Sequence, residues 1–199
     1  MKIPYFNYAA AAILFLILVS AFIKKINAVR GNTAFLLTVA EVFATAICGI
    51  GAITFDNMGP GNEVQKYLFH AGYLFLHTLT AQFYLYYLIT LTDTWYKIKR
   101  KSLPPIILFA PSTLFAIVFS VCAVKNDNIF YINEYGVYTR GPWFFIIYAV
   151  GVLYLIMGMA YMVKYRRLFS NRWMMVLFAP FPFIIGATIF EFYYPNIAH

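Results

Sequence analysis

An all-α integral membrane protein, a six-helix transmembrane bundle with a short extracellular β-hairpin, is the fold class this sequence predicts. Three observations carry the prediction. Hydrophobic residues make up 63% of the chain and charged ones only 11%, the mean hydropathy is +0.74, and apolar runs close to the ~20 residues of a helical crossing alternate with short polar stretches. At 199 residues there is room for several crossings and their loops, but not for a soluble catalytic domain beside them.

The spans follow in order. The first covers roughly residues 6–23. Val19, Ser20 and Ala21 resemble a signal-peptidase site, but Lys24, Lys25 and Arg30 follow the apolar run, where a signal peptide carries its charge in front. The segment is therefore expected to stay as a helix. The second span, 34–55, contains Glu41, with Thr45 and Cys48 at following positions of the same helical face. The third, 67–92, is the longest and holds His70, His77 and Gln82. The fourth covers 104–124, the fifth 143–163, and the sixth 173–191, where Pro180 and Pro182 predict a kink and Glu191 sits at the far end. The cysteines, Cys48 and Cys122, both fall in apolar runs and read as small core residues.

Between the fourth and fifth spans, Ile129–Ile132 and Val137–Thr139 are β-rich runs flanking Asn133, Glu134, Tyr135 and Gly136, which predicts a hairpin over about 129–140. Such a hairpin either ties two spans together or roofs a pocket, with Tyr131, Tyr138 and Arg140 lining the entrance to an anionic or ring-bearing ligand.

Charge sets the orientation. The stretches 24–32, 93–102 and 164–172 hold 11 of the 15 basic residues, so these three loops are expected in the cytoplasm and the N-terminus outside. A net charge of +8 is then accounted for by anionic lipid headgroups, and no nucleic-acid partner is implied. Trp95 and Tyr96 at the inner boundary and Trp143 at the outer one fit an aromatic belt.

Polar residues inside a membrane are costly unless paired or hydrated, so Glu41, His70, His77, Gln82 and Glu191 are candidate ligand contacts. The plainer alternative is hydrogen bonding between helices, with His70 and Glu191 hydrated near the outer surface. His70 and His77 lie two turns apart on one face, about 10 Å along the axis. They are too far apart to hold one haem iron from opposite sides, no lysine falls inside the six spans for a Schiff base, and no cofactor or metal is expected. The chain contains no HExxH, GxSxG, P-loop or paired-cysteine motif, so no catalytic role is expected.

MKIPYFNYAAAAILFLILVSAFIKK, IFYINEYGVYTRGPWFFIIYAVGVLYLI and the closing FEFYYPN together resemble the N-terminal seven-transmembrane sensor region of bacterial histidine kinases and GGDEF-type diguanylate cyclases. The resemblance covers essentially the whole chain and rests on hydrophobic layout and loop phrases. It implies a signal-sensing input module that binds a small-molecule ligand and acts as a homodimer in its full-length parent. It also implies a seventh helix and a cytoplasmic output domain, neither of which occurs here. Pro195 and Asn196 accordingly read as the turn between spans six and seven. A small multi-pass transporter is the alternative, with the kinked sixth span as its broken helix.

Overall fold

A computed structural model describes residues 5–23, 30–92, 108, 110–119, 128–169, 171–179, 181–182 and 185–186. The residues 24–29 and 93–102 of the basic loops, much of the fourth and sixth predicted spans, Cys122, Glu191 and the Pro195–Asn196 turn lie outside these residues.

The described chain is mostly helical. In order it forms α1 (Tyr5–Ile23), α2 (Arg30–Asn57), α3 (Glu63–Leu91), α4 (Ala110–Phe119), β1 (Phe130–Ile132), β2 (Tyr138–Arg140), α5 (Phe145–Lys164), a 3₁₀ turn at Arg166–Leu168 and α6 (Asn171–Phe178). Three helical stretches, Thr33–Asn57, Glu63–Leu91 and Phe145–Lys164, are long and apolar enough to cross a membrane. They fall on the second, third and fifth predicted spans. Helix α1 lies where the first span was expected, and it and α4 are shorter apolar helices.

Helices α2 and α3 form the tightest pair, and their ends differ from the sequence expectation. The chain reverses over residues 58–62, where Gly59 and Gly61 have φ of 75° and 105°, values that favour glycine. The Gly61 N–H then donates to the Glu63 carboxylate at 2.8 Å, at the start of α3. Helix α3 therefore begins at Glu63 rather than at residue 67, and α2 runs past residue 55 to include Asp56. Lys66 and Asp56, which the expected span ends leave outside the helices, are helical, and each has a polar partner at this end of the pair.

The reversal makes α2 and α3 antiparallel with a fixed register. Thr38 meets Phe83, Glu41 meets Thr80, Cys48 meets Gly72 and Gly51 meets Phe69. In each pair the two residue numbers add to 120 or 121, as a turn centred near residue 60 requires. Small residues let the helices approach: a Cβ built at Gly51 would lie 2.2 Å from Phe69 Cδ1.

The other elements gather around this pair. Helix α1 packs on α2, with Phe15 and Phe43 ring centroids 6.1 Å apart, and α5 packs on α3. Helix α4 joins through Phe115 and Phe119, whose rings lie 5.9 and 5.7 Å from that of Phe75. Tyr154 of α5 fastens the same region, donating to the Leu108 carbonyl at 2.8 Å and accepting from the Ser112 N–H at 3.1 Å. At the far end of α3, Leu88 packs with Leu155, Met162, Leu177 and Phe181, and the Tyr84 hydroxyl donates to the Leu177 carbonyl at 2.5 Å. Helix α3 is the hub of this arrangement, touched by α2, α5 and β1.

Replacing Gly51 with valine should overpack this contact and cost about 1–3 kcal/mol, because the Phe69 ring must move. Gly151, whose added Cβ meets open space, should accept valine without that loss. Thermal unfolding of the two variants in detergent checks the contrast.

Candidate functional site

Buried polar side chains mark two places on α3. Its buried stripe runs Lys66, His70, Leu74, Thr78, Gln82, Leu85, a spacing near four residues that keeps one ridge of the helix against its neighbours. Two of the polar members lie at the end next to the hairpin.

The hairpin forms as its sequence predicts. Phe130 pairs with Arg140, Tyr131 with Thr139 and Ile132 with Tyr138. The Asn133 side chain accepts from the N–H groups of Tyr135 at 3.1 Å and Val137 at 2.9 Å, while Gly136 turns the chain at φ 70°. Strand alternation then divides the three residues expected to line one entrance. Tyr138 and Arg140 share a face with Ile132 and Phe130, and Tyr131 lies on the opposite face with Thr139.

Below the hairpin, Lys66 has no exposed surface and donates from Nζ to the Gly136 carbonyl at 2.6 Å. The His70 ring, 2% exposed, stacks on Tyr138 with centroids 4.3 Å apart, and its Nε2 lies 3.1 and 3.2 Å from the Asp56 carboxylate oxygens. Phe130 is fully buried and stacks on Tyr67 at 4.9 Å. Three chain segments thus meet through polar contacts: the end of α2, the start of α3 and the hairpin. His70, a candidate ligand contact or, in the plainer alternative, a hydrated residue, is covered by Tyr138 and Phe130. Arg140 turns away from this cluster, its guanidinium 4.5 Å over the Phe144 ring.

The second place is Glu41, 6% exposed in the interior of α2. Its Oε1 accepts from the hydroxyls of Thr45 at 3.1 Å and Thr80 at 3.0 Å. Its Oε2 is buried without a hydrogen-bond partner among the described residues. Both threonines have a second acceptor within reach, the Glu41 carbonyl at 3.0 Å from Thr45 and the Leu76 carbonyl at 3.4 Å from Thr80.

Thr80 also faces the other way. With His77, Thr78, Ala81, Ile147, Tyr148, Gly151, Val152 and Leu155 it lines a cleft of about 100 Å³ between α3 and α5. His77 is exposed here and stacks on Tyr73 at 5.6 Å, so the two histidines expected on one face have different surroundings. Thr80, which bonds Glu41, lines the same cleft as His77. Gln82 is buried on the α3 stripe, and Glu191 lies outside the described residues.

Asp56 and Lys66 are two site residues that sequence reasoning missed. Their signal was present as opposite charges on either side of a glycine-bearing turn, which brings the end of one helix beside the start of the next. Among the described residues no group of three or more His, Cys, Asp or Glu is placed to hold a metal.

Replacing Asp56 with alanine should leave a buried imidazole without its acceptor, at a cost of about 1–3 kcal/mol. Replacing Lys66 with methionine should orphan the Gly136 carbonyl and loosen the turn. Hydrogen–deuterium exchange at the amides of Asn133, Gly136 and Val137, which are bonded within the hairpin, should accelerate in both variants while exchange in the middle of α3 stays slow.

Compared with protein-family models, curated proteins and solved structures, the chain matches none.

Proposed function

We propose that this chain is the membrane-embedded input module of a bacterial signal-transduction protein. It couples a cue at its extracellular face or within the membrane to a cytoplasmic output domain. The observation that carries the reading is the seating of the hairpin on α3. A loop element is fastened by Lys66 and His70 to α3, the helix against which α2 and α5 both pack. Anything that favours the hairpin's seated or unseated position by differential affinity would bias the packing of α3, which is what a two-state sensor requires. The six-span layout, the outward N-terminus and the three basic loops in the cytoplasm belong to this reading, as does a homodimeric parent. The absence of catalytic motifs from the sequence is consistent with it.

Glu41 favours a second reading. A carboxyl group buried between two membrane-crossing helices, beside a cleft, is also what a small proton-coupled transporter would use.

Three experiments decide. Alkaline phosphatase fused after Gly136 should be active and fused after Arg167 inactive, and the reverse pattern would overturn the orientation. The coding sequence beyond the codon for His199 should continue into a seventh span and an output domain, whereas a stop codon directly after it would count against the sensor. Substrate-dependent proton flux in vesicles carrying the chain would favour the transporter.

A further inference from the structure

We infer that Glu41 is a proton-binding site reached through the cleft between α3 and α5, with the Thr80 hydroxyl as the bridge. The inference rests on the membrane placement of α2, α3 and α5 in the reading above and gives that module a specific cue, the proton.

The identity of the ligand follows from the oxygens available. A carboxylate in the interior of a membrane-crossing pair needs a counter-charge or a proton. Glu41 has two hydroxyls on Oε1 and no partner on Oε2 among the described residues. A metal cation would need several more oxygens, yet α2 and α3 are unbroken helices here and their carbonyls are engaged in helical hydrogen bonds. Two hydroxyls and one carboxylate are too few for it. A proton needs a single acceptor.

The neighbouring groups that titrate are few. Helix α1 carries only Tyr5 and Tyr8, both in its first turn. On α2 there is Cys48, two turns from Glu41; on α3, His77 and Tyr84 lie about one turn either side of Thr80; and on α5, Tyr148 faces the cleft. The Asp56–His70 pair lies about 22 Å away along α2, taking the rise of 15 helical residues. No described lysine or arginine is bonded to Glu41, so no fixed positive charge competes with the proton.

The cleft supplies the route. At about 100 Å³ it exceeds the ~10–15 Å³ that a single water needs. Thr80 lines it and also donates to Glu41 Oε1. A hydronium in the cleft passes a proton to a lone pair of Thr80 Oγ1 as the hydroxyl's own proton moves to Glu41 Oε1. Water is left neutral, the threonine keeps one proton, and the carboxylate becomes a neutral carboxylic acid. Thr80 then turns its hydroxyl to the Leu76 carbonyl and accepts from the new Oε1–H, while Thr45 can turn to the Glu41 carbonyl. At Oε1 both proton states are accommodated by hydroxyl rotation, and the hydrogen bond that joins α2 to α3 reverses direction.

Infrared difference spectroscopy of the full chain in lipid nanodiscs, with acidification as the stimulus, tests this. A carboxylic-acid C=O band should appear on acidification and vanish in Glu41→Gln. Its shift on transfer to D₂O should slow severalfold in Thr80→Val and in Gly151→Leu, whose side chain projects into space that is open around Gly151. Circular dichroism should show all three variants folded. Absence of a titrating band that Glu41→Gln removes would overturn the proton site. Unchanged exchange in folded Thr80→Val and Gly151→Leu would overturn the route. These readouts need no output domain, so they can fail while the sensor reading stands. A cytoplasmic Gly136 in the fusion experiment would sink the sensor topology and leave this chemistry in place.

Discussion

A fully buried ammonium and a buried imidazole, one helical turn apart at the start of α3, must be given partners or be expelled. The partners come from two other segments. The Gly136 carbonyl of the hairpin receives Lys66, and the Asp56 carboxylate of α2 receives His70. Meeting these needs fixes the turn at residues 58–62, seats the hairpin on α3, and thereby places Phe130 and Tyr138 over Tyr67 and His70. Apolar packing of Leu74, Phe115, Phe119 and Ile147 continues the same contact along α3 and α5. The ammonium's hydrogen bond is an anchoring contact of order 1.5–3 kcal/mol, a value in the range for charged groups. Its effect is larger than that figure implies, because without it a buried charged group loses its hydrogen-bond acceptor.

Further along α3 the logic is repeated with hydroxyls. Thr78 returns its proton to the Leu74 carbonyl at 2.8 Å, a local solution that costs the bundle nothing. Thr80 instead reaches across to Glu41, so α2 and α3 are joined by a bond whose direction can change. One helix thus presents a polar anchor at its hairpin end and a reversible hydrogen bond in its interior. Both lie on the contact with α2, and a change in either is felt by the same antiparallel pair.

Much of this was legible in the amino acids. The helical class followed from composition, and the hairpin from two β-rich runs around Asn133 and Gly136. The register of α2 against α3 was within reach too, since a turn centred near residue 60 sets Glu41 opposite Thr80. It was missed because hydropathy ended the spans at residues 55 and 67, which turns a short reversal into a loop too long to fix a register. Hydropathy treats Lys66 and Asp56 as solvent-seeking, and only tertiary contacts bury Lys66 and half-bury Asp56. His70 and His77 share a face of an isolated helix, but a helix face is not an environment: the hairpin covers one and leaves the other exposed. Tyr131 was grouped with Tyr138 by residue type, whereas the pairing of Ile132 with Tyr138 separates them by the period of the strand.

The central claim is that the hairpin is held against the α2–α3 end rather than hanging free. Spin labels at Met58 in the turn and Val137 in the hairpin, both exposed, measure it directly by double electron–electron resonance. A single narrow distance distribution, unchanged between detergent and nanodiscs, is the predicted result. A broad distribution of the kind an untethered loop produces would contradict the account.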